Sequence, residues 1–343
     1  TISVAGTGAA PTPAPTPAPT PAPTPAPTPL GDIGTFAGAN TTGLAGTVIG
    51  PVPTINTYTA AGITGLGTVG SPNTALIAAV NDALASNAVG AAQTDTVAKV
   101  QAIVNAYTDI LAAADGNATD NTSGAAVPDL ADYTNIGVTG LTTAGAGLLS
   151  DVIDNKAQAD VNTVAEVQAL ATAAQTTVAY TGANGQTAPT EAQLNAIAGG
   201  SAVTADNLAA IQAAVAAANS NNTGAGANTP VTQAELQAII SGINTAAADI
   251  GAAAEANTAA TLQPTDYAAA GVTGVNANNV AVINDALNSG TPGDAANVAG
   301  VSGAEADTPA EIQAIVASYN RILAAADSNG TDNTLGTATE PAA

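Results

Sequence analysis

Apolar residues recur along this chain at the i, i+3, i+4, i+7 spacing that gives a helix one buried face. The spacing predicts two long helices of the same kind, over Asp95–Ala114 and Thr308–Ala326. Shorter stretches with this pattern lie in the middle of the chain, at Val164–Leu170 and Leu236–Ile243. The pattern therefore predicts a mainly α chain built from amphipathic helices.

The predicted starts of three long helices carry capping boxes, in which a Thr and a Glu three residues later cap each other's backbone N–H groups. Each cap contributes about 1 kcal/mol to helix stability. A shorter helix is predicted ahead of each long one, at Asn73–Ser86, Gly145–Asn155, Thr204–Ala218 and Asn276–Asn288. The boxes are Thr163 with Glu166, Thr232 with Glu235, and Thr308 with Glu311.

Two sequence motifs recur. The first reads YTAAGITGL at Tyr58–Leu66, YTNIGVTGL at Tyr133–Leu141 and YAAAGVTGV at Tyr267–Val275. Its functional interpretation is a glycine-rich ligand loop, and its structural interpretation is a turn that places a Tyr and an aliphatic residue in the core. The second motif, ILAAAD followed by an Asn/Asp/Thr loop, occurs within Ala106–Thr122 and Ser318–Thr334. Such self-similarity is typical of tandem repeats.

The repeats predict small helical modules, as hairpins or three-helix units, stacked end to end. The third predicted module lacks the Tyr-Gly-Thr-Gly motif and is interpreted as a diverged copy. The predicted boundaries are 58–132, 133–188, 189–265 and 266–343.

Three different segments precede the modules. Residues 1–10 are either a disordered terminus or a strand that pairs with a neighbouring subunit. Residues 11–29 repeat Pro-Thr-Pro-Ala, which excludes helix and sheet and predicts a polyproline II spacer of about 60 Å. Residues 30–57 are rich in Gly and Thr and predict a collar of short strands or irregular structure.

Composition narrows the range of functions. The net charge is −23 with three basic residues, which argues strongly against nucleic-acid binding. The chain has no Cys or His, which removes disulfides, thiol nucleophiles and imidazole bases. No apolar run is long enough to predict a membrane span. With one Phe, six Tyr and no Trp, each module has a thin core.

Two loops alternate oxygen-bearing side chains in a way that suits a hard cation such as calcium. The alternative interpretation is a helix end followed by a turn whose side chains bond local backbone. The loops differ from an EF-hand in the place of the Gly and lack its closing Glu. The candidate ligands are Asp115, Asn117, Thr119 and Asp120 in one loop, and Asp327, Asn329, Thr331 and Asp332 in the other.

No residue set supports catalysis, since the acids fall on predicted solvent faces and caps and no His is present to activate a Ser. We therefore expect a non-enzymatic protein without a resident cofactor, with calcium as the one candidate.

The Y-x-x-x-G-V-T-G turn, the T-x-A-E helix start and the ILAAAD-x-N-x-T-D-N-T loop resemble the Ala/Thr/Asp-rich helical repeats of large secreted bacterial surface proteins, such as adhesins and biofilm proteins. The Ala, Thr, Gly and Asn bias is also similar to that of surface-layer and extracellular filament proteins. The resemblance implies an extracellular or cell-surface structural protein that self-associates into a polymer or lattice. The alternative is an adhesin region whose helical face binds a surface or glycan ligand.

Overall fold

A computed structural model describes residues 28–40, 50–116, 127–200, 202–221, 232–289 and 301–326. Within these residues the chain forms thirteen α-helices and one antiparallel hairpin, in which β1 (Gly67–Thr68) pairs with β2 (Ser71–Pro72). The prediction of a mainly α chain is confirmed. The helices are α1 Pro29–Asn40, α2 Ile55–Ala60, α3 Thr74–Leu84, α4 Val97–Ala113, α5 Leu130–Asn135, α6 Thr143–Asp154, α7 Val164–Ala179, α8 Glu191–Ile197, α9 Ala205–Asn221, α10 Gln233–Glu255, α11 Pro264–Ala269, α12 Val280–Leu287 and α13 Pro309–Ala325.

The long helices form where the sequence predicts them, because local caps and apolar stripes agree there. All three predicted capping boxes are present, at the starts of α7, α10 and α13. The apolar stripe of α4 is buried from Val100 to Ala113, whereas Val97 at the start of the helix is exposed. Among the shorter helices, α12 begins at Val280 rather than Asn276, since Asn276 and its neighbours form a turn that leads into it.

From α2 onward the helices form four groups of three, which we call triplets: α2–α4, α5–α7, α8–α10 and α11–α13. The last helix of each triplet packs on the first helix of the next, as α4 does on α5, α7 on α8 and α10 on α11. The middle helix packs on the last helix of the next triplet, as α3 does on α7, α6 on α10 and α9 on α13. The helices are therefore packed as sequential neighbours along the chain.

The segment predicted as a β or irregular collar, residues 30–57, is helical at both ends, and the prediction is wrong there. Helix α1 covers Pro29–Asn40 despite three glycines, and α2 begins at Ile55. The reason is tertiary: Ile33, Phe36 and Ala37 share one face of α1 and are buried. Thr28 Oγ1 accepts the N–H of Gly31 and caps the first turn. Residues 41–49 lie outside the described residues.

The other predictions for the N-terminal region also lie outside the described residues, apart from the last two positions of the proline spacer, Thr28 and Pro29. The pairing strand at 1–10 and the polyproline II conformation of 11–29 remain predictions. The four module boundaries remain predictions as well.

The buried core extends through successive triplets. One continuous cluster of buried apolar side chains runs from Ile33 to Ile243, and a second runs from Ala247 to Val316. Its largest members are four tyrosines without exposed surface, namely Tyr58, Tyr107, Tyr133 and Tyr267. Much of the remainder is Ala and Val, so each of these buried side chains contributes less free energy than a Leu or Phe would.

No helix in the described part of the chain combines the length and hydropathy needed to cross a bilayer.

The cap of α13 provides a test of how much a local helix cap contributes to the stability of the fold. Thr308 Oγ1 accepts the N–H of Glu311 at 3.3 Å, and the Glu311 carboxylate accepts the N–H of Thr308 at 3.2 Å. We expect Thr308→Ala to lower the free energy of unfolding of this end of the chain by about 1 kcal/mol. Thr108→Ala, at an exposed mid-helix position, is the control and should change it by less than about 0.5 kcal/mol. Equal effects of the two variants in urea unfolding followed by circular dichroism would contradict this.

Candidate functional site: the junctions between helix triplets

The Tyr-Gly-Thr-Gly motif forms the end of a short helix. In α2 the N–H of Ile63 donates to the carbonyl of Tyr58, and the N–H of Gly62 donates to Thr59. Gly62 has a φ of 83°, the left-handed conformation that ends a helix in a Schellman motif. The same two bonds recur in the other copies, where the glycines are Gly137 with a φ of 98° and Gly271 with a φ of 76°.

The tyrosine of each motif is anchored by its hydroxyl to the middle helix of its own triplet. All three rings are fully buried, and the polar residue that each hydroxyl contacts also bonds the backbone just before the short helix. The contacts are Tyr58 Oη to Asn81 Oδ1 at 2.6 Å, Tyr133 Oη to Ser150 Oγ at 2.9 Å, and Tyr267 Oη to Asn284 Oδ1 at 2.6 Å.

The threonine of each motif is held by a glutamine of the long helix. The Gln101 side chain accepts the N–H of Thr64 at 2.9 Å and donates to the carbonyl of Thr64 at 3.1 Å. The same two-bond contact recurs between Thr139 and Gln168 and between Thr273 and Gln313. The structural interpretation of the motif is thereby confirmed: it joins the three helices of a triplet and places its Tyr in the core. Its last aliphatic residue is buried at Leu66 and half-buried at Leu141 and Val275.

Successive triplets are joined by a carboxylate at the start of a long helix. Asp82 on α3 accepts the N–H of Val164, the first residue of α7, at 2.7 Å. Asp151 on α6 accepts the N–H of Gln233, the first residue of α10, at 3.4 Å. A negative charge there also interacts favourably with the helix dipole. At the third junction α13 begins with Pro309, which has no N–H to satisfy.

Sequence reasoning missed these two aspartates because each bond joins residues 82 positions apart. A signal was available in the local sequence. Each aspartate directly follows the residue that contacts the motif tyrosine, as in Asn81-Asp82 and Ser150-Asp151. The pair recurs once more as Asn284-Asp285 on α12.

Burial at the junctions raises the pKa of both aspartates above the ordinary value. For Asp82, loss of solvation outweighs the hydrogen bond from Val164, which lowers the pKa, and Glu166 raises it further. For Asp151, loss of solvation likewise outweighs the bond from Gln233, with Glu235 adding to the rise. Ionising these two carboxylates therefore requires more free energy in the folded chain than it does in water.

Of the candidate calcium ligands, Asp115 alone lies in the described residues. It follows α4 and forms an isolated β-bridge with Ala157, and the N–H of Gly116 donates to the carbonyl of Lys156 at 3.0 Å. This segment therefore connects the end of α4 to the turn that precedes α7. The other seven candidates, Asn117, Thr119, Asp120, Asp327, Asn329, Thr331 and Asp332, lie outside the described residues, and calcium binding stays a prediction.

Two shallow grooves also occur along these junctions. One, of about 430 Å³, lies between α10 and the segment before α13 and contains Glu255, Gly303 and Asp307. There the N–H of Gly303 donates to the Glu255 carboxylate at 3.1 Å. The other, of about 450 Å³, lies beside Lys99 and Ile103 on α4. In the described ranges no three His, Cys, Asp or Glu residues come together as a metal site would need.

No family model, curated protein or solved structure matches this chain.

The aspartate junction predicts a specific effect of mutation. Asp82→Ala leaves the N–H of Val164 without its acceptor, and we expect the free energy of unfolding to fall by about 1–2 kcal/mol. Asp249, an exposed residue on α10, provides the matched control Asp249→Ala. Urea unfolding of both variants measures the difference. A loss in Asp82→Ala no larger than that in Asp249→Ala would show that the junction bond does not stabilise the fold.

The pH dependence of stability follows from the same burial. The folded-state pKa is raised for Asp82, Asp109, Asp132, Asp151 and Asp307, in each case mainly by loss of solvation. Between the unfolded value near 3.8 and the raised value the folded state binds more protons than the unfolded state, so stability rises as the pH falls. The ion pair between Lys99 and Asp95 is exposed, so losing it at low pH lowers the free energy of unfolding only slightly.

We therefore expect the Tm to rise or stay constant as the pH is lowered from 7.5 towards 5. Differential scanning calorimetry in matched buffers measures it. A steady fall in Tm over this interval would contradict the sign of these pKa shifts.

Proposed function

We propose that the chain is a non-enzymatic structural protein of the bacterial cell surface, in which the helix triplets act as tandem units of a fibre, filament or surface layer. The observation that carries this proposal is the repeated junction, in which Asp82 and Asp151 cap the long helix of the next triplet. A contact that recurs at the same place in successive units lets a stack grow by adding units, without changing those already present.

The polar side chains that recur in the triplets support a mechanical role. The Tyr–Asn and Thr–Gln contacts bond side chains to neighbouring helices, so these groups are already satisfied within the fold. The net charge of −23 keeps such a surface soluble. The polyproline spacer predicted for 11–29 adds reach, and the resemblance of the repeats to secreted surface proteins favours an extracellular location.

The alternative, an adhesin whose helical face binds a surface or glycan ligand, is less well supported. Such faces are usually rich in exposed aromatic side chains. All seven aromatic residues of the chain lie in the described ranges, and each is buried or half-buried. The exposed large apolar side chains there are Val, Ile and Leu.

Immunogold electron microscopy of intact, unpermeabilised cells of the source organism tests the proposal. We expect label along filaments or over an ordered layer outside the cell, and no label with antibody pre-absorbed on the purified protein. Label that appears only after permeabilisation would contradict an extracellular structural role. Scattered surface label with no filament or layer would favour the adhesin alternative.

A further inference from the structure

Helix α1 lies where the long helix of a preceding triplet would lie. It packs on α2 and α3, the first and middle helices of its neighbour, as α4 packs on α5 and α6. It also packs on the turn at Ala91–Gln93, as α10 packs on the turn at Gly303–Glu305. Each helix comes close to its turn at a glycine. A Cβ added at Gly38 would lie 3.2 Å from Ala91, and a Cβ added at Gly251 would lie 3.0 Å from Gly303. Thus α1 replaces a long helix at the N-terminal end of the stack.

This replacement is incomplete, since α1 covers the first triplet without supplying the junction aspartate. Val97, the first residue of α4, is 41% exposed, whereas Val164 and Gln233 at the same position of α7 and α10 are 9% and 4% exposed. The N–H groups of Val164 and Gln233 each donate to an aspartate of the preceding triplet. Across the described residues no such carboxylate reaches Val97.

The other end of the described stack has the complementary features. Ile322 and Leu323 on α13 are 47% and 38% exposed, although the matching residues of α4, Ile110 and Leu111, are buried. The matching face of α4 packs on α5 and α6 of the next triplet. Asp285 on α12 follows Asn284, which bonds Tyr267 as Asn81 bonds Tyr58, so Asp285 is the equivalent of Asp82. It is exposed, and among the described residues no helix-start N–H donates to it.

From this complementarity we infer that a second copy of the chain docks head to tail, with α13 of one copy taking the place of α1 on the next. Asp285 of the first copy then caps Val97 of the second, and Ile322 and Leu323 cover the α2 end of its first triplet. The inference rests on the proposed function, for which it supplies the polymer contact. Because this contact joins different surfaces of identical chains, it repeats without closing unless the rotation forms a ring.

Helix α1 is suited to displacement. It is 12 residues long and contains three glycines, each of which costs a helix about 1 kcal/mol relative to Ala. The helix that would replace it, α13, has 17 residues and a capping box. The exchange also buries Ile322 and Leu323, which are exposed in the single chain.

A cysteine pair tests the contact, since the natural chain contains no Cys. A full-length variant with Asp285→Cys and Val97→Cys is treated with a short bismaleimide and resolved on a denaturing gel. The matched control, Asp82→Cys with Val164→Cys, places a pair at the equivalent junction inside one chain. We expect a ladder of linked chains from the first variant and a linked monomer from the second.

Two further changes identify the surfaces involved. Adding Ile322→Ser and Leu323→Ser, at positions already exposed, should leave the circular dichroism unchanged and reduce the ladder at least tenfold. Adding Ile33→Ser and Phe36→Ser, which frees α1, should increase the ladder. No ladder while the control pair links, a ladder insensitive to the Ile322 and Leu323 changes, or dimers alone would each overturn the inference.

The two proposals can fail separately. Surface filaments detected by immunogold without a cysteine ladder would retain the structural function and remove this docking mode. A ladder without extracellular label would retain the docking mode and remove the proposed location.

Discussion

The structure depends on the way each long helix is shared between two triplets. In α4, Val100 and Val104 are buried together with Tyr107, Ile110 and Leu111, and α4 packs on α3 before it and on α5 and α6 after it. A core rich in Ala releases little free energy per residue on burial, so covering both sides of a long helix matters more than it would in a Leu-rich bundle. The junction aspartates add a polar contact in the same place, at the cost of keeping a carboxylate partly out of water.

Local signals predicted the parts of the fold that local physics decides. The long helices and their capping boxes were readable because the apolar period and the Thr and Glu spacing act within a few residues. The Tyr-Gly-Thr-Gly turn was correctly interpreted as structural. Its bonds to Asn81 and Gln101 were not predicted, because they depend on how neighbouring helices pack.

Longer-range features could not be read in the same way. Helix α1 forms although its glycines lower its helix propensity, because Ile33 and Phe36 on one face are buried. The six-residue helices α2, α5 and α11 are too short to show a period. Asp82 and Asp151 bond residues 82 positions away, a distance at which no sequence pattern specifies a partner.

The recurring polar side chains of the described residues cap helices and connect neighbouring helices. Carboxylates, amides and hydroxyls recur at equivalent places in several triplets and, apart from Asp285, they bond the backbone or side chain of a neighbouring helix. Because of this arrangement, the stability of a helix depends on whether a neighbouring triplet packs on it. The chain offers a natural comparison, since α4 and α13 end in the same Ile-Leu-Ala-Ala sequence and, in the described residues, a following triplet packs on α4 alone.

Hydrogen exchange measured by mass spectrometry on the dilute, monomeric chain tests this dependence most directly. The account predicts that amides in the last two turns of α4, residues 106–113, exchange at least tenfold more slowly than those in residues 318–325 of α13. Equal protection of the two segments would contradict it, because the helices would then be stable without a neighbouring triplet.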